Sequence, residues 1–239
     1  LLMSDRPETW RSVYELGITR IIMPEFDAIM ETQQNTPHHM YNVGEHTLKA
    51  LSLTEKDRIL RLTMLLHDVA KPVCRTEDEN GIHHFHGHPQ VGAEMSRKIL
   101  RRLKFDNDTI RRVMALVRAH DDRPPLQGRS IRRAIYRNGT EQYPELFEVK
   151  RADILAQSSF LQQEKLLYVD RYEHMYQQIM EKEQCLSLKE LAVNGSDLIA
   201  RGIQPGKEIG EILHQMLEKV LEEPELNEKE VLLAWYFKA

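Results

Sequence analysis

Long apolar runs, paired cysteines and strand-like alternation are all scarce in this chain of 239 residues. No stretch approaches the ~18 consecutive apolar residues of a membrane-spanning helix, and no basic-then-apolar leader with a cleavage site opens the sequence. A membrane or secreted protein is therefore not expected. Cys74 and Cys185 lie far apart and neither belongs to a paired metal spacing. That excludes a disulfide scaffold and a thiolate metal site, and points to free thiols in a reducing, cytoplasmic compartment. Internal repeats and low-complexity linkers are absent as well. What remains, 41% hydrophobic and 29% charged, suffices for a full core in one large domain or two small ones.

Helical spacing runs through almost the whole chain. Val91, Met95, Ile99 and Leu103 form one stripe, Ile110, Val113, Met114 and Val117 a second, and Ile209, Ile212, Leu213, Met216 and Val220 a third. Asp106, Ser130 and Ser196 read as helix N-caps, Pro205-Gly206 introduces an acidic helix, and Pro72, Pro124-Pro125 and Pro144 break the chain between helices. One short hairpin is expected around Cys74 to Phe85, turned at Asn80-Gly81. The predicted fold class is all-α with at most that hairpin.

Charge is unevenly spread under the net −4: thirteen Lys or Arg face four Asp from Arg97 to Arg137, a balance of +9, whereas Lys207 to Glu230 carries −5. A basic segment suits a polyanion by focusing its local concentration, although arginines such as Arg101, Arg102, Arg111 and Arg112 also solvate outer helix faces. Attraction of a polyanion through Arg101, Arg102, Arg132 and Arg133 is the expectation that follows.

Within the apolar stretch Leu60 to Pro72 stand His67 and Asp68, side by side where a solvated ion pair has no place. A buried charge must be matched or coordinated. His46 shares the helical offset of Val43, Ala50 and Leu53. His120 follows Val113, Leu116 and Val117, with Asp121 beside it, and Asp153 follows Leu146 and Val149. Any one of these is most simply a satisfied core polar group; together they point to a shared metal. Between them lies Gly81-Ile-His-His-Phe-His-Gly-His88. His88 precedes a Pro and is expected at a helix start, His83 is read as a solvated loop residue, and His84 and His86 are left as substrate contacts.

The order of Asn42-Val-Gly-Glu-His46, Leu65-Leu-His-Asp-Val-Ala-Lys71, His86-Gly-His-Pro-Gln-Val-Gly-Ala93, Val117-Arg-Ala-His-Asp121 and Arg151-Ala-Asp153 resembles the HD superfamily of metal-dependent phosphohydrolases. The stretches Met23 to Ala28, Pro37 to His46, Cys74 to Gly81, Cys185 to Gly195 and Ile203 to Gly206 are similar to the C-terminal half of bacterial CCA-adding tRNA nucleotidyltransferases. That resemblance implies an HD helical bundle at residues 35–160, a neck-like segment at 1–34 and a helical body and tail at 161–239, the last a candidate for tRNA binding. It implies a divalent ion, manganese, nickel, iron, magnesium or zinc, on His46, His67, Asp68 and Asp153. His88, His120 and Asp121 would complete a second site or meet a phosphate. Asp68 would also orient a metal-bound water, Lys71 would meet a phosphate oxygen, and Arg118, within the fourth motif, would join His84 and His86 in holding substrate.

The family's nucleotide-adding head, with its Gly-rich turn and paired carboxylates, has no counterpart in these residues, so the chain is expected to be a fragment or headless relative. The activity implied is metal-dependent hydrolysis of nucleotide or RNA-end phosphates, 2′,3′-cyclic ones included. A non-catalytic tRNA-binding scaffold and a free-standing nucleotide phosphohydrolase are the alternatives. The implied partners are tRNA or a nucleotide phosphate and a separate head domain.

Overall fold

The computed structural model describes residues 1–35, 41–182 and 184–238, which are mostly helical with one two-stranded sheet. Residues 37–40, which fall in the stretch from Pro37 to His46, lie outside the described residues. Among those described, no helix is long and apolar enough to cross a membrane. Two compact units emerge: Leu1–Asp122 with Glu141–Val169, and Arg123–Thr140 with Asp170–Ala239. Their boundaries differ from the expected ones at 34 and 160, because the chain crosses between the units more than once.

In the first unit, α1 (Trp10–Glu15), α2 (Thr19–Ile22) and α3 (Pro24–Glu31) lead into α4 (Val43–Ser52). Phe26 of α3 is fully buried against the ring edges of Trp10 and Tyr14. Asn42 caps α4 by accepting the Glu45 amide at 2.7 Å, filling an otherwise orphaned donor. Gly44 lets α4 approach α3: a Cβ there would sit 2.8 Å from the Met30 Cα, which is backbone and cannot swing aside. Gly44→Ala is expected to cost about 2 kcal/mol through forced separation of the helices, measurable by urea unfolding. An unchanged midpoint would mean that the contact is slack.

Asp57 caps α5 (Arg58–Leu66) through the amides of Ile59 and Leu60, and every residue from Ile59 to Leu66 is buried. Arg61 is tolerated there because its guanidinium donates to the Leu2, Ser4 and Glu55 carbonyls. Packing of Leu60 and Met64 on Ala50, Leu51, Val149 and Ala152 makes one core cluster of this unit. After α6 (Lys71–Cys74) the expected hairpin forms, β1 (Thr76–Glu77) against β2 (His83–His84), antiparallel, with Gly81 at φ +73° in its turn. α7 (His88–Arg102) and α8 (Asn107–Ala119) form a helical hairpin, the second helix capped by Asp106 as expected.

α9 (Gly128–Asn138) belongs to the second unit, whereas α10 (Tyr143–Ala156) returns to the first. Ser130 is not the cap of α9; it lies inside the helix, and Gln127 holds the cap position. α11 (Gln162–Glu181) is followed by α12 (Gly195–Ala200), whose cap is Asn194 rather than Ser196. Its side chain takes the Ser196 and Asp197 amides while Asp197 reaches back, a full capping box. α13 (Lys207–Glu222) is the acidic helix after Pro205-Gly206, and α14 (Lys229–Lys238) closes the described chain.

Two arginines expected on a free surface are committed within the second unit. Arg132 is buried and donates to the Leu221 and Glu222 carbonyls at 2.7 and 2.9 Å, at the electronegative end of α13. Arg133 pairs with Glu218 at 2.9 Å.

Candidate metal centre

Helix ends, more than helix faces, aim the imidazoles in the first unit. His46 does sit on the buried face of α4, with Val43 and Ala50. His67 instead terminates α5, Asp68 follows in the turn before α6, His88 is the first residue of α7, and His120 terminates α8. Asp153 comes from α10. All four histidines and Asp68 are buried.

The groups meet around Asp68. Its Oδ2 lies 3.2 Å from His67 Nε2 and 3.7 Å from His46 Nε2, and its Oδ1 3.4 Å from His88 Nε2 and 3.8 Å from His120 Nε2. Asp153 Oδ1 closes the first side, 2.8 Å from His46 and 3.7 Å from His67. Two groups able to hold a metal ion result, His46-His67-Asp68 and Asp68-His88-His120, sharing one carboxylate.

Tautomers decide what this arrangement demands. Each ring places Nδ1 against a backbone carbonyl: His67 on Met64 at 2.7 Å, His120 on Val117 at 2.7 Å, His88 on Phe85 at 2.8 Å and His46 on Ala156 at 3.4 Å. A carbonyl only accepts, so Nδ1 carries the hydrogen and Nε2 faces inward, presenting a lone pair there whenever the ring is neutral. His46 and His67 then bring Nε2 atoms within 3.4 Å, and His88 and His120 within 3.2 Å. Lone pairs facing one another and two carboxylates repel unless positive charge lies among them. Asp68 Oδ2 adds to the demand: Lys71 and His67 stand close to it, yet neither approach has hydrogen-bond geometry. The donor set fits a divalent cation.

Protonation follows the same logic. Burial opposes charge on His67, but Asp68 and then Asp153 outweigh it and hold that imidazole above its ordinary pKa. His120 moves the other way, to about 4, through burial and the neighbouring His88 and His67. Burial also opposes ionisation of the carboxylates and loses: His67 and Lys71 hold Asp68 well below the usual range, and His46 holds Asp153 below it.

The remaining expected residues scatter. Asp121 is exposed and belongs to neither group, although its charge still reaches His120. His84 pairs with Asp78 at 2.9 Å and stacks on exposed His86, on the hairpin. Arg118 is exposed on α8, 3.7 Å from Glu94. The expectation of a solvated loop at His83 is overturned: this residue is buried, and its Nδ1 lies 3.0 Å from the Asn35 amide. Lys71 does not await a phosphate, since its buried ammonium already meets Asp68 and Gln34, each at 2.7 Å.

Sequence reasoning passed over Lys150, whose buried ammonium donates to the His120 and Asp122 carbonyls at 2.7 and 2.6 Å and props the turn behind His120. A signal existed, because Lys150 stands four residues after Leu146 and three before Asp153, on the helix face that carries them both.

The family model described as tRNA nucleotidyltransferase domain 2 matches residues 76–236. This chain belongs to the tRNA nucleotidyltransferase family. It is 32% identical over 225 residues, 91% of its length, to the CC-adding tRNA nucleotidyltransferase of Thermus thermophilus, covering 50% of that protein. The A-adding tRNA nucleotidyltransferase of Deinococcus radiodurans is 32% identical over 85% of this chain and 48% of its own length. A multifunctional CCA protein of Pseudomonas fluorescens is 32% identical over 43% of the chain and 26% of its own length. The chain thus spans about half the length of the two nucleotidyltransferases it matches over most of its own. Membership of a tRNA nucleotidyltransferase family corrects the expected activity: these relatives are transferases, not phosphohydrolases. The catalytic roles assigned to Asp68 and Lys71 fall with it.

Proposed function

We propose that this chain is the tRNA-holding portion of a tRNA nucleotidyltransferase, with the His46-His67-Asp68-Asp153 cluster and the adjoining His88 and His120 keeping a divalent cation as a structural pin. The match to tRNA nucleotidyltransferase domain 2 over residues 76–236 carries the first half of this reading. Inward lone pairs on four imidazoles carry the second. Mixed imidazole and carboxylate donors suit manganese, iron, nickel or zinc better than calcium. The cation supplies positive charge between the facing lone pairs. His46, His67, Asp68, His88, His120 and Asp153 would then hold α4, the ends of α5 and α8, the start of α7, and α10 to one point, leaving the outer surfaces of those helices for RNA.

A competition experiment tests the RNA half. A labelled tRNA transcript is expected to bind the full chain at low salt, and unlabelled tRNA to displace it about tenfold better than a DNA duplex of equal charge, because counterion release alone favours neither. Absence of tRNA binding by the folded chain, or equal displacement by DNA, removes the reading.

A further inference from the structure

Most arginines of the basic segment are occupied. In the first unit, Arg102 is held by both oxygens of Glu25 at 2.9 and 2.6 Å, and Arg112 by Glu145. The α7–α8 hairpin keeps a different set together. Arg97 and Arg101 stand one turn apart on α7, while Arg111 and Arg118 on α8 bracket Met114 and Ala115 at offsets of three, four and seven, which is one helix face. All six line a single open groove. Arg118 lies 3.7 Å from Glu94 of α7, so both arginine rows look into the same space.

The charge of this groove is unbalanced. Glu94 meets Arg97 at 2.7 Å and Asp108 meets Arg111 at 2.7 Å, both along their own helices. Arg101 is exposed and has no carboxylate within ion-pair distance among the described residues, nor has exposed Lys98 or Lys104 beside it. Exposed pairs of this kind contribute little, so their guanidinium groups turn readily to a better acceptor. A guanidinium meets phosphate through two parallel N–H donors, and two rows of them favour a ligand that repeats its charge.

We propose that the groove between α7 and α8, lined by Arg97, Arg101, Arg111 and Arg118, binds the phosphodiester backbone of RNA. This rests on the tRNA reading above and assigns it a surface, distinct from the buried cluster and from Arg102, Arg112, Arg132 and Arg133, whose partners lie on other helices. Phosphate contacts position a duplex or strand without reading its bases, so the groove should serve any tRNA alike.

The test uses the full chain with Arg97, Arg101, Arg111 and Arg118 all changed to Gln, beside a control carrying Arg102→Gln and Arg133→Gln, which removes charge from paired residues. With a tRNA transcript as probe, the groove variant should bind at least about tenfold more weakly at low salt, and its slope of log affinity against log salt should fall by up to about 3. The control should move little on either count. Arg101→Gln alone removes an exposed, unpaired side chain and should weaken binding about twofold with an unchanged melting curve, which keeps the test decisive if the fourfold variant folds poorly. Equal binding by the groove variant and the control overturns the proposal while leaving the tRNA reading in place. Failure of the unaltered chain to bind tRNA overturns both. Poly-glutamate displacing labelled tRNA as well as unlabelled tRNA does would assign the groove to an acidic protein surface instead, and overturns it too.

Discussion

Adding manganese or nickel to the chelator-stripped chain should raise its melting temperature by roughly 8–16 °C once free ion exceeds its dissociation constant a thousandfold. At that excess an ion that binds only the folded state contributes about 4 kcal/mol, and each kcal/mol is worth about 2–4 °C for a chain of this size. The effect comes from the cluster because its four Nε2 lone pairs and two carboxylates converge, with the Lys71 ammonium reaching only one edge of them. Asp68→Asn keeps the shape, removes the shared charge and should abolish the shift.

The pH dependence has a definite sign. His67 has a raised pKa, so its own contribution in the ion-free chain is complete below the unfolded value and is lost as pH rises through the folded one. Asp68 has a depressed pKa, so its contribution is present above the unfolded value and fades as pH falls through the folded one. An ion must displace the His67 proton, so the metal-induced shift should grow with rising pH and disappear in mild acid. Calorimetry with and without ion at several pH values checks this. A shift that is absent at every pH, or survives in Asp68→Asn, would show that protons rather than an ion neutralise the cluster.

Replacing Lys150 by Met should cost about 3 kcal/mol, a drop of about 6–12 °C, and should also blunt the metal-induced shift. The ammonium reaches the carbonyls of Ala119, His120 and Asp122 at 3.3, 2.7 and 2.6 Å, where α8 has run out of amides to satisfy them. Met fills similar volume and donates nothing, so buried acceptors are left unmet behind a candidate ligand. Lys49→Met, on the exposed side of α4, should stay within about 0.5 kcal/mol. If the Lys150 and Lys49 variants melt together, the buried ammonium is dispensable and the turn holds itself.

The helical architecture was readable because the apolar residues of α7, α8 and α13 recur at helical spacing with little to contradict them. The convergence of buried polar groups was readable for a related reason: His46 and Asp153 interrupt apolar faces, and nothing short of a partner excuses them. Asp121 was misplaced because adjacency to His120 says nothing about direction once the helix has ended, and the chain there turns its next side chain outward. Ser130 and Ser196 were named as caps by residue type, but capping depends on backbone angles, and Asn194 already takes both amides at the start of α12. Arg132 and His83 needed tertiary knowledge, since a charge sum cannot tell an arginine bonded to the end of α13 from one in water. Activity was the least legible of all, because a cluster of donor groups limits what can bind without naming a reaction.

Three of the four imidazoles are anchored by a carbonyl three residues upstream: Met64 for His67, Phe85 for His88 and Val117 for His120. Their ring orientation is therefore set by a few neighbouring residues before any distant element arrives. His46 differs, leaning on the Ala156 carbonyl 110 positions away. Three of the ring orientations are thus fixed by short-range contacts, and one depends on a distant element. A single element, α10, supplies both the Asp153 carboxylate and the carbonyl that anchors His46.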